Sequence, residues 1–169
     1  MKKSRLAMLL SAIALLPASA IQAADAPDPA WGKAANNHIL AQKLVNELMA
    51  AHHELLVVGL HATKPGTNQQ TMIATNLDRI GKADDDDDKA VSVEHKIILA
   101  PNLKDPNKFE VQVWLKDATG AQLAAAAGFV FKYHKGDSEI ELLTKALAFR
   151  DDLARKTPSL AALFTPTMH

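Results

Sequence analysis

Apolar and polar residues alternate most regularly between Phe109 and Lys116. Phe109, Val111, Val113 and Leu115 are separated by Glu110, Gln112, Trp114 and Lys116. A period of two places the first set on one buried face of a strand. Asp117-Ala-Thr-Gly120 then reads as a hairpin turn, with glycine free to take positive φ. The return strand, Leu123 to Tyr133, carries Phe129, Phe131 and Tyr133 on one side and Ala124, Ala126 and Gly128 on the other.

The pattern changes upstream. From Asn36 to His52, Ile39, Leu40, Leu44, Leu48 and Met49 recur at helical spacing, with Lys43, Asn46 and Glu47 between them. Leu55 to Ala62 is a near-continuous apolar run, as in a buried strand. Pro65-Gly66 marks a turn, and Thr71 to Thr75 makes a second, short strand. Ala90 to Leu99 fits either a helical turn or a short strand, and Pro101 to Lys108 reads as a loop.

Ser138 and Glu141 form a capping-box pattern at the start of the last helix. Its expected inner stripe is Ile140, Leu143, Ala146, Leu147 and Arg150, with Leu142, Phe149 and Leu153 adjoining. Pro158 stops it, and Leu160 to Phe164 is expected to fold back on the core. There is no internal repeat. This order of elements predicts an α+β fold with an antiparallel sheet.

The N-terminus is of another kind. Lys2, Lys3 and Arg5 precede an apolar run from Leu6 to Leu16, followed by small residues, which is the pattern of a secretory signal peptide. The run is shorter than the ~20 residues of a spanning helix, and Pro17 follows it. Cleavage can follow Ala20 or Ala23, with Ala23 favoured, then a flexible leader over 24–35 and one domain over 36–169. Removing residues 1–23 from the 169 leaves 146, enough for one core. A periplasmic location is the expectation.

Charge and cysteine content narrow the function classes. The first 23 residues hold three of the 19 basic side chains, leaving 16 against 19 acidic ones. Without a positive field, nucleic-acid binding is not expected. Without cysteine there are no disulfides, thiol chemistry or cysteine metal sites. His52-His53-Glu54-Leu55-Leu56 approaches a zinc-protease helix, but Val57 stands where H-E-x-x-H needs its second histidine. No G-x-S-x-G, P-loop or Gly-rich dinucleotide turn is present. The chain is read as a non-enzyme without a cofactor.

Polar side chains cluster between Gly59 and Lys89. His61 ends a strand, and Thr75, Asn76 and Arg79 lie in the polar turn after the next. Asn76 can donate and accept, and Arg79 can clamp a carboxylate. These four are the leading ligand-binding candidates, with Trp114 and Lys132 joining them if the polar hairpin face lies under the loops. The alternative is a plain turn and an ordinary charged strand surface.

Asp84 to Asp88 offers hard oxygen ligands for calcium, with Asp84, Asp86 and Asp88 as weak candidates. The spacing is not that of a calcium loop, and like-charge repulsion predicts a solvated, mobile segment. With Lys89 the run also spells the enteropeptidase recognition sequence DDDDK, read as a coincidence in a loop although it predicts cleavability.

Ile73-Ala74-Thr75-Asn76, Ile80-Gly81-Lys82 and the D-x-x-G hairpin at Asp117 and Gly120 together resemble the Cache group of extracytoplasmic sensor domains. The likeness runs from about Asn36 to Tyr133. It implies a PAS-like fold and a small polar or carboxylate ligand, such as an amino acid, held against the sheet beneath loops. Cache domains usually sit between membrane helices; this chain shows no second apolar span. The expectation is a free-standing, sensor-type binding protein that presents its state to a membrane sensor or transporter. An interaction protein that forms a homodimer through its first helix is the alternative, and a weak calcium binder the third reading.

Overall fold

The computed structural model describes residues 33, 34 and 37–167. The expected signal peptide and most of the leader lie outside the described residues. The elements run α1 (Leu40–Ala51), β1 (Leu55–Thr63), β2 (Gln70–Thr75), α2 (Asp86–Glu94), β3 (Ile98–Pro101), β4 (Lys108–Lys116), β5 (Gln122–Lys132) and α3 (Glu139–Arg155), then a short 3-10 helix, Ala161–Phe164. The five strands form one antiparallel sheet in the order β2-β1-β5-β4-β3. The α+β class and the antiparallel sheet are those expected from the sequence.

One face of the sheet carries the core. Strand alternation directs Val58, Leu60 and Ala62 of β1, Val111 and Val113 of β4, and Phe129 and Phe131 of β5 to this side. Leu44, Val45 and Leu48 of α1 and Leu142, Ala146 and Phe149 of α3 close over them. The inner face of α3 keeps Ala146 and Arg150 of the expected stripe but turns from Ile140, 69% exposed, towards the adjoining Leu142, Phe149 and Leu153, which are buried. The rings account for this, because Phe149 sits 5.7 Å from Phe129 and 6.1 Å from Phe131 and so sets the helix's rotation.

Two boundaries differ from the pattern in the sequence. Helix α1 begins at Leu40 rather than Asn36, and Ile39 supplies no side-chain cap. The C-terminal segment serves instead: Leu40 N–H donates to the Thr165 carbonyl at 2.9 Å, and Thr167 N–H to the His38 carbonyl at 2.8 Å. That pairing holds the preceding residues extended and satisfies one of the helix's open donors.

The aspartate run is the second difference. It was expected to be a mobile loop, but Asp86–Asp88 form the first turn of α2. The Asp85 side chain accepts from Asp88 N–H at 3.1 Å, and Asp85 N–H donates to the Asp88 carboxylate at 3.3 Å, a reciprocal capping box. Carboxylates at a helix N-terminus face its open N–H groups and the positive end of its dipole, which offsets their mutual repulsion.

Helix α2 covers part of the sheet face away from the core, lying against β5, β4 and β1. Ser92, fully buried, accepts from Gln70 Nε2 and ties the helix to β2. The chain between β2 and α2 adds a further rung to the sheet edge: Met72 N–H donates to the Lys82 carbonyl, and Asp84 N–H to the Gln70 carbonyl. Asp84 and Asp88 are thereby carried over the end of β1.

Candidate functional site

A cavity of about 240 Å³ opens on the α2 face beside that helix. Its floor is made by two glycines paired in register, Gly59 of β1 and Gly128 of β5. Glycine inside a strand leaves room where another residue would fill it. A Cβ at Gly128 would lie 3.2 Å from Glu110 Oε1, and one at Gly59 would lie 3.2 Å from His61 Nε2.

The walls are mixed. Val57 and Val130 stand beside the glycines, and Met72 and Leu77 add apolar surface. Glu110 and Lys108 reach in from β4, Asn102 from the loop before it, and Arg79 from the turn after β2. Lys108 also pairs with Asp105 at 3.1 Å. The Arg79 side chain is exposed at the cavity and has no side-chain partner among the described residues, so its guanidinium is available to a ligand.

His61 joins this cavity to a second group of residues. One ring nitrogen, Nε2, lies over Gly59. The other, Nδ1, is 2.7 Å from Asp84 Oδ1 and 3.8 Å from Asp88 Oδ2. All three residues are buried, and one ligand-type atom from each lies within 4.8 Å of the others. Asp84 Oδ2 is buried with no hydrogen-bond partner among the described residues. Burial alone would depress the pKa of His61. The hydrogen bond to Asp84 and the charges of Asp84, Asp88 and Glu110 overcome that, and the net shift is upward. Burial and the neighbouring charges of Asp84 and Asp85 raise the pKa of Asp88, against the opposing pull of His61.

The residues singled out from the sequence fall in three places. His61 and Arg79 line the cavity together. Asn76 does not: its Oδ1 accepts from Val58 N–H at 3.0 Å and its Nδ2 donates to the Leu56 carbonyl at 3.0 Å. It acts as a side-chain rung where β1 is irregular between Leu55 and Val57. Thr75 is buried, exchanges backbone bonds with the Gln42 amide, and accepts from Leu77 N–H. Thr75 and Asn76 instead border a separate hollow of about 330 Å³ with Asn37, Gln42 and Asn46.

Trp114 and Lys132 stand away from the cavity. Trp114 lies between His95 and Arg150, whose guanidinium carbon is 5.5 Å from the ring centre. Lys132 is exposed at the end of β5, opposite Lys108. Of the aspartates, Asp84 and Asp88 turn inward to His61, while Asp86 is exposed and pairs with Lys89 at 3.6 Å.

Several site residues escaped the sequence reading. Gly128 was seen only as a small residue, and Lys108, Asn102 and Glu110 as loop or surface. The mid-strand glycines Gly59 and Gly128 were the available signal. Asp84 and Asp88 were among the weak metal candidates, but their pairing with His61 was not foreseen, because Asp84 lies just before the N-cap Asp85 and only the fold brings it to β1.

No protein-family model matches the chain, and neither does any curated protein. Solved structures similar to it include three regulatory or GAF proteins. The repressor BlcR of Agobacterium tumefaciens shares 11% identity over 77% of this chain and 69% of its own, with a TM-score of 0.45. The C-terminal domain of the Escherichia coli transcriptional regulator KdgR shares 14% over 74% of this chain and 96% of its own, at 0.44. A GAF domain shares 13% over 74% of this chain and 78% of its own, at 0.45.

Proposed function

We propose that this chain is a sensor-type, non-enzymatic binding domain of Cache-like kind that takes a small polar ligand bearing a carboxylate. The carrying observation is the cavity over Gly59 and Gly128, where Arg79, Lys108, His61 and Glu110 converge on a partly apolar floor. Sites for small molecules combine apolar walls with a few polar groups that fix orientation. Arg79 and Lys108 suit a carboxylate, and Glu110 suits an ammonium group. An amino acid carries both. At about 240 Å³ the cavity favours a small one.

The signal-peptide pattern of residues 1–23 supports a periplasmic setting, with a membrane sensor or transporter as the partner that reads the bound state. Dimerisation through the first helix gains no support from α1, whose Leu44, Val45 and Leu48 are buried in the chain's own core.

A calorimetric and thermal-shift screen of amino acids, organic acids and nucleobases tests this reading. A carboxylate ligand should raise the melting temperature. Arg79→Ala should weaken its binding by about 10- to 100-fold, the range for a charge-assisted hydrogen bond. Asn76→Ala should lower stability without a selective loss of affinity. Absence of any carboxylate hit, or unchanged affinity in the Arg79 variant, would overturn the proposal.

A further inference from the structure

We propose that His61 Nδ1, Asp84 and Asp88 form a binding site for a divalent transition-metal ion such as Zn2+. The ligand types come first. One imidazole nitrogen with two carboxylates suits zinc or manganese, whereas calcium takes six to eight oxygen ligands. The spacing is also compatible. Bonds of about 2.0–2.2 Å put ligand atoms roughly 3–3.5 Å apart. The observed separations from Nδ1 are 2.7 and 3.8 Å, on either side of that range.

Asp84 Oδ2 is the independent observation. The Asp84 side chain is fully buried, yet this oxygen has no donor among the described residues. A buried acceptor without a partner is costly, and a cation gripped by both Asp84 oxygens would satisfy it. Charge points the same way. Asp84 and Asp88 are joined by the nearby charge of Glu110, and Lys89, the adjacent cation, turns outward to Asp86. An imidazolium held between the two carboxylates is the competing account, and it leaves Asp84 Oδ2 unsatisfied.

The inference does not rest on the ligand-binding proposal, because Arg79 and Lys108 take no part in it. It does connect the two sites. A histidine that ligates through Nδ1 keeps its proton on Nε2, and Nε2 lies over Gly59 in the cavity. The ion would therefore fix His61 as a hydrogen-bond donor towards the cavity.

Titration of the chelator-treated chain with Zn2+, Mn2+ and Ca2+ tests the site. One Zn2+ should bind per chain. Asp84→Asn and Asp88→Asn should each weaken binding by at least about 100-fold, judged against the 10–100-fold typical of lost outer partners. Asp86→Asn should bind as the parent does. NMR of the parent's imidazole nitrogens supplies a readout that does not depend on the variants folding. Zn2+ should remove the Nδ1 proton of His61 and shift that nitrogen. Equal affinity in both aspartate variants would assign the ion to surface histidines such as His52 and His53. That result, a response to Ca2+ alone, or a His61 Nδ1 that stays protonated in saturating Zn2+ would overturn the proposal.

Discussion

The two faces of the sheet are built from the same strands to opposite ends. On the α1 and α3 side, alternate residues of β1, β4 and β5 are Val, Leu and Phe, and helices close over them. On the α2 side, the intervening residues are Gly59, His61, Glu110 and Gly128, and the covering helix leaves a cavity beside itself. One face gains stability from burial; the other gives up apolar area to hold space and charge. Truncation should therefore hurt the first face, and filling should hurt the second.

The largest effect is expected on the core face. Phe129 is fully buried and meets Phe149 at 5.7 Å. Phe129→Ala should cost about 3–5 kcal/mol, through lost burial and the hole left behind. Denaturant melts would measure this, and the folded fraction should still bind ligand and Zn2+. A loss below about 1 kcal/mol would mean that this face is not the main source of stability.

Gly128→Val is the opposite experiment. Its Cβ would press on Glu110 Oε1 at 3.2 Å, but that side chain is long and only half-buried, so it can move aside. Valine also suits a strand better than glycine does. Stability should change by about 1 kcal/mol or less, as for glycine replacements that the backbone tolerates, while binding in the cavity is lost. A variant with unchanged affinity would show that the ligand sits elsewhere. A variant that unfolds would show that the α2 face is packed as tightly as the core.

The faces also differ in how far the sequence revealed them. Phe109 to Leu115 disclosed the core face, because a period of two is a local property of the chain. The hairpin at Asp117 and Gly120 was equally local: Asp117 Oδ1 accepts from Thr119 N–H at 2.8 Å, and Gly120 has φ 87°. The cavity face is assembled from residues far apart. Asp84 meets His61 across 23 positions, so a run of five aspartates looked like a repelling loop although its first and last members are buried. Asn76 had the right chemistry for a ligand, and only its position beside β1 shows that the backbone uses it. The start of α1 was misplaced for a similar reason, since it depends on Thr165 at the other end of the chain.

The smallest expected effect is a pH dependence that belongs to the cavity face. In chelator-treated protein, His61 has a folded pKa above its ordinary 6.5 because Asp84, Asp88 and Glu110 outweigh its burial. The folded state therefore holds the imidazole proton more tightly than the unfolded chain does. The resulting stability is fully present below pH 6.5 and is lost as the pH rises through the folded value. Asp88 acts in the same sense at lower pH, since burial raises it above 3.8. Stability should decline on the alkaline side of 6.5, with a slope of at most about 1.4 kcal/mol per pH unit for one proton. His61→Gln should flatten that decline, whereas Phe129→Ala should shift the whole profile down without changing its slope. A parent profile that is level or rising above 6.5 would show that His61 is neutral in the folded state, and that the contrast between the faces is one of shape and not of charge.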